Sequence, residues 1–160
     1  MRILKTILLV LFCITASAVP ALAYNTEYAC KSEVASGFIY SGAVKKWDGV
    51  HFGANASYVI RGATDEDFKT EVGRRYKGAV LVVSSVKAGQ VLPARLFCSG
   101  YDNQGFTYCE GVSESMRFNK DTRRFLSIFA SGYVLTAEEL ANGQDGVVTP
   151  MMVIGKCKVL

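Results

Sequence analysis

The sequence predicts a mainly β protein, in which an antiparallel sheet curls into a small barrel or a two-layer sandwich with one or two short helices and two disulfides. Three observations predict it. Short runs of β-branched and aromatic residues follow one another, polar turns separate them, and cysteines lie near both ends of the chain. The predicted strands span 26–34, 37–40, 57–61, 79–86, 92–98, 106–109, 116–118, 124–129 and 151–159.

The first 23 residues have the pattern of a signal peptide. Arg2 and Lys5 form a short basic start, an apolar run follows, and Ala21-Leu22-Ala23 is the small-x-small pattern that precedes cleavage. We therefore expect residues 1–23 to be removed and residues 24–160 to form a single β-rich domain. The same pattern predicts a periplasmic or secreted protein with no stable membrane span after signal cleavage.

The charge balance narrows the class of partner. The chain has a formal net charge of +4 at pH 7, and loss of Arg2 and Lys5 with the leader lowers it by two. A nucleic-acid binder is expected to show a clustered basic face, so no nucleic-acid partner is predicted. The expected partner is a periplasmic or cell-surface protein, and the oligomeric state is left open.

The stretch 92–129 is typical of two consecutive β-hairpins. If Tyr101 pairs with Phe106 across the first turn, the same register places Cys98 opposite Cys109. On the other face it predicts an aromatic cluster, formed by Phe97, Tyr101, Phe106 and Tyr108. The register therefore predicts a Cys98–Cys109 disulfide beside that cluster.

The remaining cysteines are predicted to join the two ends of the domain. Four cysteines follow the leader, and an even number in an exported domain predicts two disulfides, with three possible connectivities. Cys30 lies in the first predicted strand and Cys157 in the last, so a bond between them would make the terminal strands neighbours. The chain has no Cys-x-x-Cys, and His51 is its only histidine, so we predict no metal and no cofactor.

Two short helices are predicted. Thr64 precedes three acidic residues, 65–67, which favour a helix N-terminus. Apolar residues follow at a spacing of four, at Phe68, Val72 and Tyr76. The segment 136–141 has the threonine and glutamate of a capping box, and Asn142-Gly143 would end that helix.

The second hairpin holds the candidate partner-binding residues. They are Arg117, Phe118, Arg123, Arg124 and Phe125. Arginine beside aromatic side chains is enriched in the energetic centres of protein interfaces. The competing interpretation is that both phenylalanines face the core and the arginines only keep the surface soluble.

The sequence contains no recognised catalytic motif. The leading prediction is therefore a non-enzymatic binding or inhibitor-type module. A first alternative is a carrier for a small apolar ligand, which requires a hollow barrel interior of about 300 Å³ or more. A second is a hydrolase using His51 with a carboxylate such as Asp48, which requires the two side chains to converge in a cleft.

The chain also resembles known exported proteins. The residues that carry the resemblance are Cys30, Gly37-Phe38, Cys98, Gly105-Phe106, Cys109-x-Gly111, Phe118-Asn119, Thr122-x-Arg-Phe125, Gly132-Tyr133, Thr149-Pro150 and Ile154-Gly-Lys-Cys157. This succession is similar to a group of small exported α-proteobacterial proteins of unknown function. Tyr28-x-Cys30 gives a looser likeness, at the level of the fold, to periplasmic lysozyme-inhibitor barrels. Neither resemblance implies a catalytic residue.

Overall fold

The computed structural model describes residues 26–41, 43–130 and 150–160. The predicted leader, 1–23, and the second predicted helix, 136–141, lie outside the described residues. Within them the chain is mainly β, with nine strands, one 3-10 turn and one short α-helix. The predicted fold class is confirmed.

Most consecutive strands are joined by short connections. They are β1 (Tyr28–Ser41), β2 (Lys46–Phe52), β3 (Ser57–Gly62), β4 (Leu81–Lys87), β5 (Gln90–Cys98), β6 (Phe106–Glu110), β7 (Glu114–Asn119), β8 (Arg124–Phe129) and β9 (Met151–Val159). Between β3 and β4 lie the 3-10 turn, Asp67–Lys69, and the helix α1, Glu71–Arg75.

Eight of the strands close into an antiparallel barrel. Their order is β1-β3-β4-β5-β6-β7-β8-β9, and β9 pairs with β1 to complete the ring. The first part of β1, 28–31, pairs with β3, and its last part, 35–41, pairs with β2. Because β3 takes the place beside β1 in the ring, β2 stands outside it and forms a hairpin with the end of β1.

The strand β1 differs from the prediction. Two strands, 26–34 and 37–40, were expected, and the structure joins them into one strand with a β-bulge between Ser32 and Val34. A bulge bends a strand without ending its pairing. Gly37 also lies in this strand, at a point where β1 and β9 pack closely. A Cβ at Gly37 would collide with the carbonyl oxygen of Pro150, so glycine fits this position.

Inward-facing side chains fill the barrel. An eight-stranded barrel has an interior just wide enough for side chains to fill it. The largest fully buried side chains include Phe118, Ile60, Leu81, Leu96 and Met116. Tyr28 meets Phe118 edge to face, with 4.9 Å between the ring centroids. The middle of the barrel is therefore a packed core.

Two disulfides join directly opposed residues, in the pairs that the sequence predicts. Cys98 on β5 bonds Cys109 on β6, across a sequence separation of 11. Cys30 on β1 bonds Cys157 on β9, across a separation of 127. The second bond ties the two ends of the described domain and fixes the seam at which the barrel closes.

We call residues 67–76, which contain the 3-10 turn and α1, the helical segment. It covers part of the barrel's outer surface, and its helix begins later than predicted. Thr70 caps α1, accepting a hydrogen bond of 2.9 Å from the Gly73 N–H. Beyond the helix, Tyr76 stacks on Phe97 with 5.2 Å between centroids. The predicted aromatic cluster is therefore wrong: Phe97 packs under this segment, whereas Tyr108 is exposed on β6.

Candidate binding surfaces

An apolar row crosses the outer surface of three neighbouring strands. Val34 on β1 is paired with Ile154 on β9, and Ile154 with Leu126 on β8. These residues alternate with the buried cysteine and valine positions of β9, so they point away from the core. Val34 is 48% exposed and Ile154 is 43% exposed. We call Val34, Ile154 and Leu126 the apolar row.

The apolar row continues onto β7 and β6 through a cation–π pair. Leu126 is paired with Arg117, and Arg117 with Tyr108. The Arg117 guanidinium lies 4.9 Å from the centroid of the Tyr108 ring. Stacking holds a long side chain in one position, so these two residues extend the row as an ordered polar and aromatic end.

A basic row lies directly beside the apolar row. Lys31 on β1 is paired with Lys156 on β9, and Lys156 with Arg124 on β8. Like charges directly opposite each other destabilise a sheet. One of the three has an acidic partner in the structure, since the Lys156 ammonium lies 2.9 Å from the Glu33 carboxylate. We call Lys31, Lys156 and Arg124 the basic row, and both rows with Arg117 and Tyr108 the outer wall.

The structure separates the predicted partner-binding residues into two groups. Phe118 and Phe125 are directly paired and buried, since both belong to the inward-facing set of their strands. They are closed to a partner, and the prediction that they contact one is corrected. Arg117, Arg123 and Arg124 are exposed, and their role in binding stays a prediction.

The turn before β8 holds the arginines in place. The Asn119 side-chain oxygen accepts hydrogen bonds from the Asp121 and Thr122 N–H groups, at 3.0 and 2.8 Å. Arg123 takes a left-handed conformation with φ of 56°, and its carbonyl accepts a 2.8 Å bond from the Cys157 N–H. The backbone that carries Arg123 and Arg124 is therefore fixed to the seam of the barrel.

A groove lies beside the apolar row, where β1 and β2 meet the ends of β8 and β9. Its volume is about 590 Å³, and its apolar lining includes Phe38, Val50, Ile128, Met151 and Met152. At its polar edge, Ser36 Oγ lies 2.7 Å from His51 Nδ1. We call this cavity the hairpin groove.

The predicted pairing of His51 with Asp48 is not present. The two residues are three positions apart on β2, so their side chains point to opposite faces of the strand. Asp48 pairs instead with Lys46, at 3.1 Å. The residue beside His51 is Ser36, directly opposite it on β1. Asp48 is therefore not the carboxylate beside His51, and the hydrolase alternative stays a prediction.

A buried polar network lies inside the barrel. The Glu114 carboxylate accepts a 2.5 Å hydrogen bond from Ser127 Oγ and forms an ion pair with Arg95. Burial first, and then the charge of Glu114, raises the pKa of the Tyr58 phenol above its usual range. One oxygen of this buried carboxylate accepts a hydrogen bond and the other is balanced by the ion pair alone, and Arg95, Glu114 and Ser127 join β5, β7 and β8.

Neither a metal site nor a hollow interior is found in the part of the chain that the structure describes. Within residues 26–41, 43–130 and 150–160, no three histidine, cysteine or acidic side chains stand together in a way that could hold a metal ion. The carrier alternative required a hollow interior, and fully buried side chains such as Leu96, Met116 and Phe118 occupy the middle of the barrel. The hairpin groove opens on the outside instead.

Comparison with protein-family models, with curated proteins and with solved structures gives no match. The resemblance to exported α-proteobacterial proteins therefore stays a prediction. Among the described residues, no helix has the length and apolar content needed to cross a membrane.

Sequence reasoning missed most of the outer wall and the whole hairpin groove. The alternation of β9 did contain a signal, because Met152 and Ile154 fall on the face opposite Cys157. Two apolar residues on the solvent face of a strand indicate a surface that something else covers. Lys31 gave no such signal, and Arg124 was singled out only as part of the second hairpin, since only the barrel register brings both residues beside Lys156.

Proposed function

We propose that the protein is a non-enzymatic binding module that acts in the periplasm or outside the cell, and that its outer wall takes an acidic protein partner. The observation that carries the proposal is the basic row lying along the apolar row. Cations in opposed positions cost stability in the free protein. We expect the repulsion between these cations to be relieved in a complex, where carboxylates of a partner neutralise Lys31, Lys156 and Arg124.

The composition of the outer wall favours a protein over a free anion. Apolar side chains supply area that becomes dry on contact, and arginine and tyrosine are the residues enriched in the energetic centres of interfaces. Arg117 is already ordered against Tyr108, so it loses little side-chain entropy on binding. The charges lie along one margin, which would set the orientation of an acidic partner and speed its association.

The two disulfides support the proposed compartment. Such bonds persist in oxidising environments and are rare in the cytosol. Cys30–Cys157 lies directly beneath the outer wall, because Lys31 and Lys156 are the next residues on the same two strands. The surface is therefore built on a covalently closed seam and is expected to keep its shape when a partner binds. An inhibitor would be one form of such a module.

A charge-reversal experiment tests the proposal. Residues 24–160 are immobilised and used to capture proteins from a periplasmic extract, with Arg124→Glu plus Lys156→Glu as the test variant. Lys77→Glu plus Lys87→Glu is the matched control, because it makes the same change of charge at two other exposed sites. Lys77 follows the helical segment, and Lys87 ends β4. We expect the wild type and the control to retain an acidic protein that the test variant loses.

Two outcomes would count against the proposal. Equal capture by the test and control variants would show that the basic row is not involved. Binding of the wild type to vesicles of anionic lipid, with no protein retained from the extract, would replace the protein partner with a membrane surface. Raising the salt concentration should weaken the expected capture, because charges near the surface are screened.

A further inference from the structure

The hairpin groove borders the apolar row on the side away from the basic row, since the paired groove residues Ser36, Met152 and Ile128 form the next outward-facing row of the same strands. It has the features of a small-molecule site. Its volume of about 590 Å³ falls in the range of about 300–1,000 Å³ that is usual for ligand pockets. Most of its side chains are apolar, with one convergent polar pair, Ser36 and His51. A few fixed polar groups in an apolar pocket are what orients a ligand.

Two glycines contribute to the shape of the groove. At Gly37 a Cβ would collide with Pro150, so β1 approaches the start of β9 more closely there than a side chain would permit. At Gly49, directly opposite Phe38, a Cβ would meet no atom within 4 Å. Among the described residues, a side chain at position 49 would therefore find open space in the groove.

The polar pair determines the chemistry of the ligand's head group. If Ser36 donates its hydrogen to His51 Nδ1, the ring carries its own hydrogen on Nε2. If Nδ1 carries the hydrogen and donates it to Ser36, the serine hydroxyl hydrogen is left over. In both tautomers the pair keeps one donor for a ligand, which an acceptor oxygen on the head group can use.

We propose that the hairpin groove binds an amphipathic carboxylic acid, with its unbranched apolar chain along Phe38, Ile128 and Met152 and its carboxylate on the Ser36–His51 pair. None of the described residues that line the groove is acidic, so none of them repels a carboxylate. A charged acceptor makes a stronger hydrogen bond than a neutral one. Methionine side chains are unbranched and flexible, which suits them to an alkyl chain. This inference goes beyond the proposed protein partner.

Decanoate titrated into residues 24–160 tests the inference, with the methionine methyl groups followed by NMR. We expect one saturable site, with shifts of Met151 and Met152 in the groove. Met116 is fully buried in the core and serves as the internal control, so its methyl signal should stay in place. No saturation below the concentration at which decanoate forms micelles would overturn the inference.

Substitutions then distinguish the contacts of the ligand's alkyl chain from the contacts of its carboxylate. Gly49→Leu fills the open space and should weaken decanoate by about tenfold or more, whereas Val91→Leu adds bulk on exposed β5 and should leave it unchanged. Ser36→Ala plus His51→Phe removes both possible donors and should weaken decanoate about tenfold while leaving decanol nearly unaffected. Equal loss of both ligands would remove the role of the polar pair.

The proposal for the hairpin groove and the proposal for the outer wall can be tested independently. Arg124→Glu plus Lys156→Glu should leave the methionine shifts with decanoate in place, since neither residue lines the groove. Gly49→Leu should in turn leave capture of the protein partner intact. Loss of decanoate binding in the double charge variant would place the acid on the basic row and contradict the site proposed here.

Discussion

Two outward-facing regions of the same barrel differ in what covers them. On β4 and β5, Val82 and Phe97 point away from the core, yet both are buried. Phe97 is covered because Phe68 and Tyr76 of the helical segment pack over it. On β9, Ile154 has the same orientation and is 43% exposed.

Under the proposed function, the two regions have different roles. Where the chain covers an apolar outer face with its own segment, that face contributes to stability as a second, smaller core. Where an apolar row stays open beside aligned cations, the exposed area is available for binding. Substitutions in the covered face should therefore change stability, and substitutions in the outer wall should change binding.

The largest effect is expected from the disulfide under the outer wall. Loop entropy gives a stabilisation of about 5 kcal/mol for Cys30–Cys157 and about 3 kcal/mol for Cys98–Cys109, because their sequence separations are 127 and 11. Paired Cys→Ala double variants, compared by urea unfolding, measure both losses. Equal losses would contradict the loop-closure argument.

Truncation of one covered and one open apolar residue sharpens the comparison. Phe97→Ala should lower the free energy of unfolding by about 3 kcal/mol, because it removes a buried ring and the stacking partner of Tyr76. Ile154→Ala should lower it by about 0.5 kcal/mol, as surface substitutions generally do. A loss of 2 kcal/mol or more at Ile154 would show that the outer wall is part of the core.

The ion pair that attaches the helical segment predicts that the free energy of unfolding depends on pH. Both oxygens of Asp67 accept hydrogen bonds from the Arg61 guanidinium, at 2.7 and 2.8 Å, and Thr64 donates two more. The Arg61 bonds come first among the causes that lower the pKa of Asp67 to about 2. A lowered pKa in the folded state stabilises the protein above the carboxyl's ordinary range, and this stabilisation disappears as the pH falls from about 4 to about 2.

The magnitude follows from the shift in the pKa of Asp67. It corresponds to roughly 2 kcal/mol of unfolding free energy, measured by urea unfolding between pH 5 and pH 2. Asp67→Asn should lower stability at pH 5 and remove this part of the pH dependence. An asparagine variant with the same decline as the wild type would assign the decline to other carboxylates.

The smallest effect on stability is expected at the turn before β8. Arg123→Ala plus Arg124→Ala should change the melting temperature by about 2 °C or less, since exposed charges contribute little. The same variant should lose capture of the partner, because Arg124 is one end of the basic row. Unchanged capture would remove the turn and its arginines from the binding surface.

Much of the fold could be predicted because local patterns determine it. One hairpin register was enough to place Cys98 opposite Cys109, and alternation along β9 was enough to assign its buried face. The length of β1 could not be predicted, because the bulge after Ser32 interrupts alternation within a single strand.

The candidate site was less predictable because it depends on long-range register. Lys31, Arg124 and Lys156 come from three parts of the sequence and become neighbours only when β1 and β8 both pair with β9. Ser36 and His51 likewise meet only across the β1–β2 pairing. Phe118 and Phe125 were misassigned for the opposite reason: proximity to a turn suggested exposure, whereas their strands direct both rings into the core.

The most direct test of the open outer wall compares two single charges placed on exposed apolar residues. Ile154→Asp changes the apolar row, and Val91→Asp changes β5, where the side chain is 54% exposed. Both variants should unfold close to the wild type, and capture of the partner from periplasmic extract is the measurement. The outer wall predicts that Ile154→Asp loses the partner while Val91→Asp keeps it. Retention by both variants, or loss by both, would contradict the assignment of binding to this face.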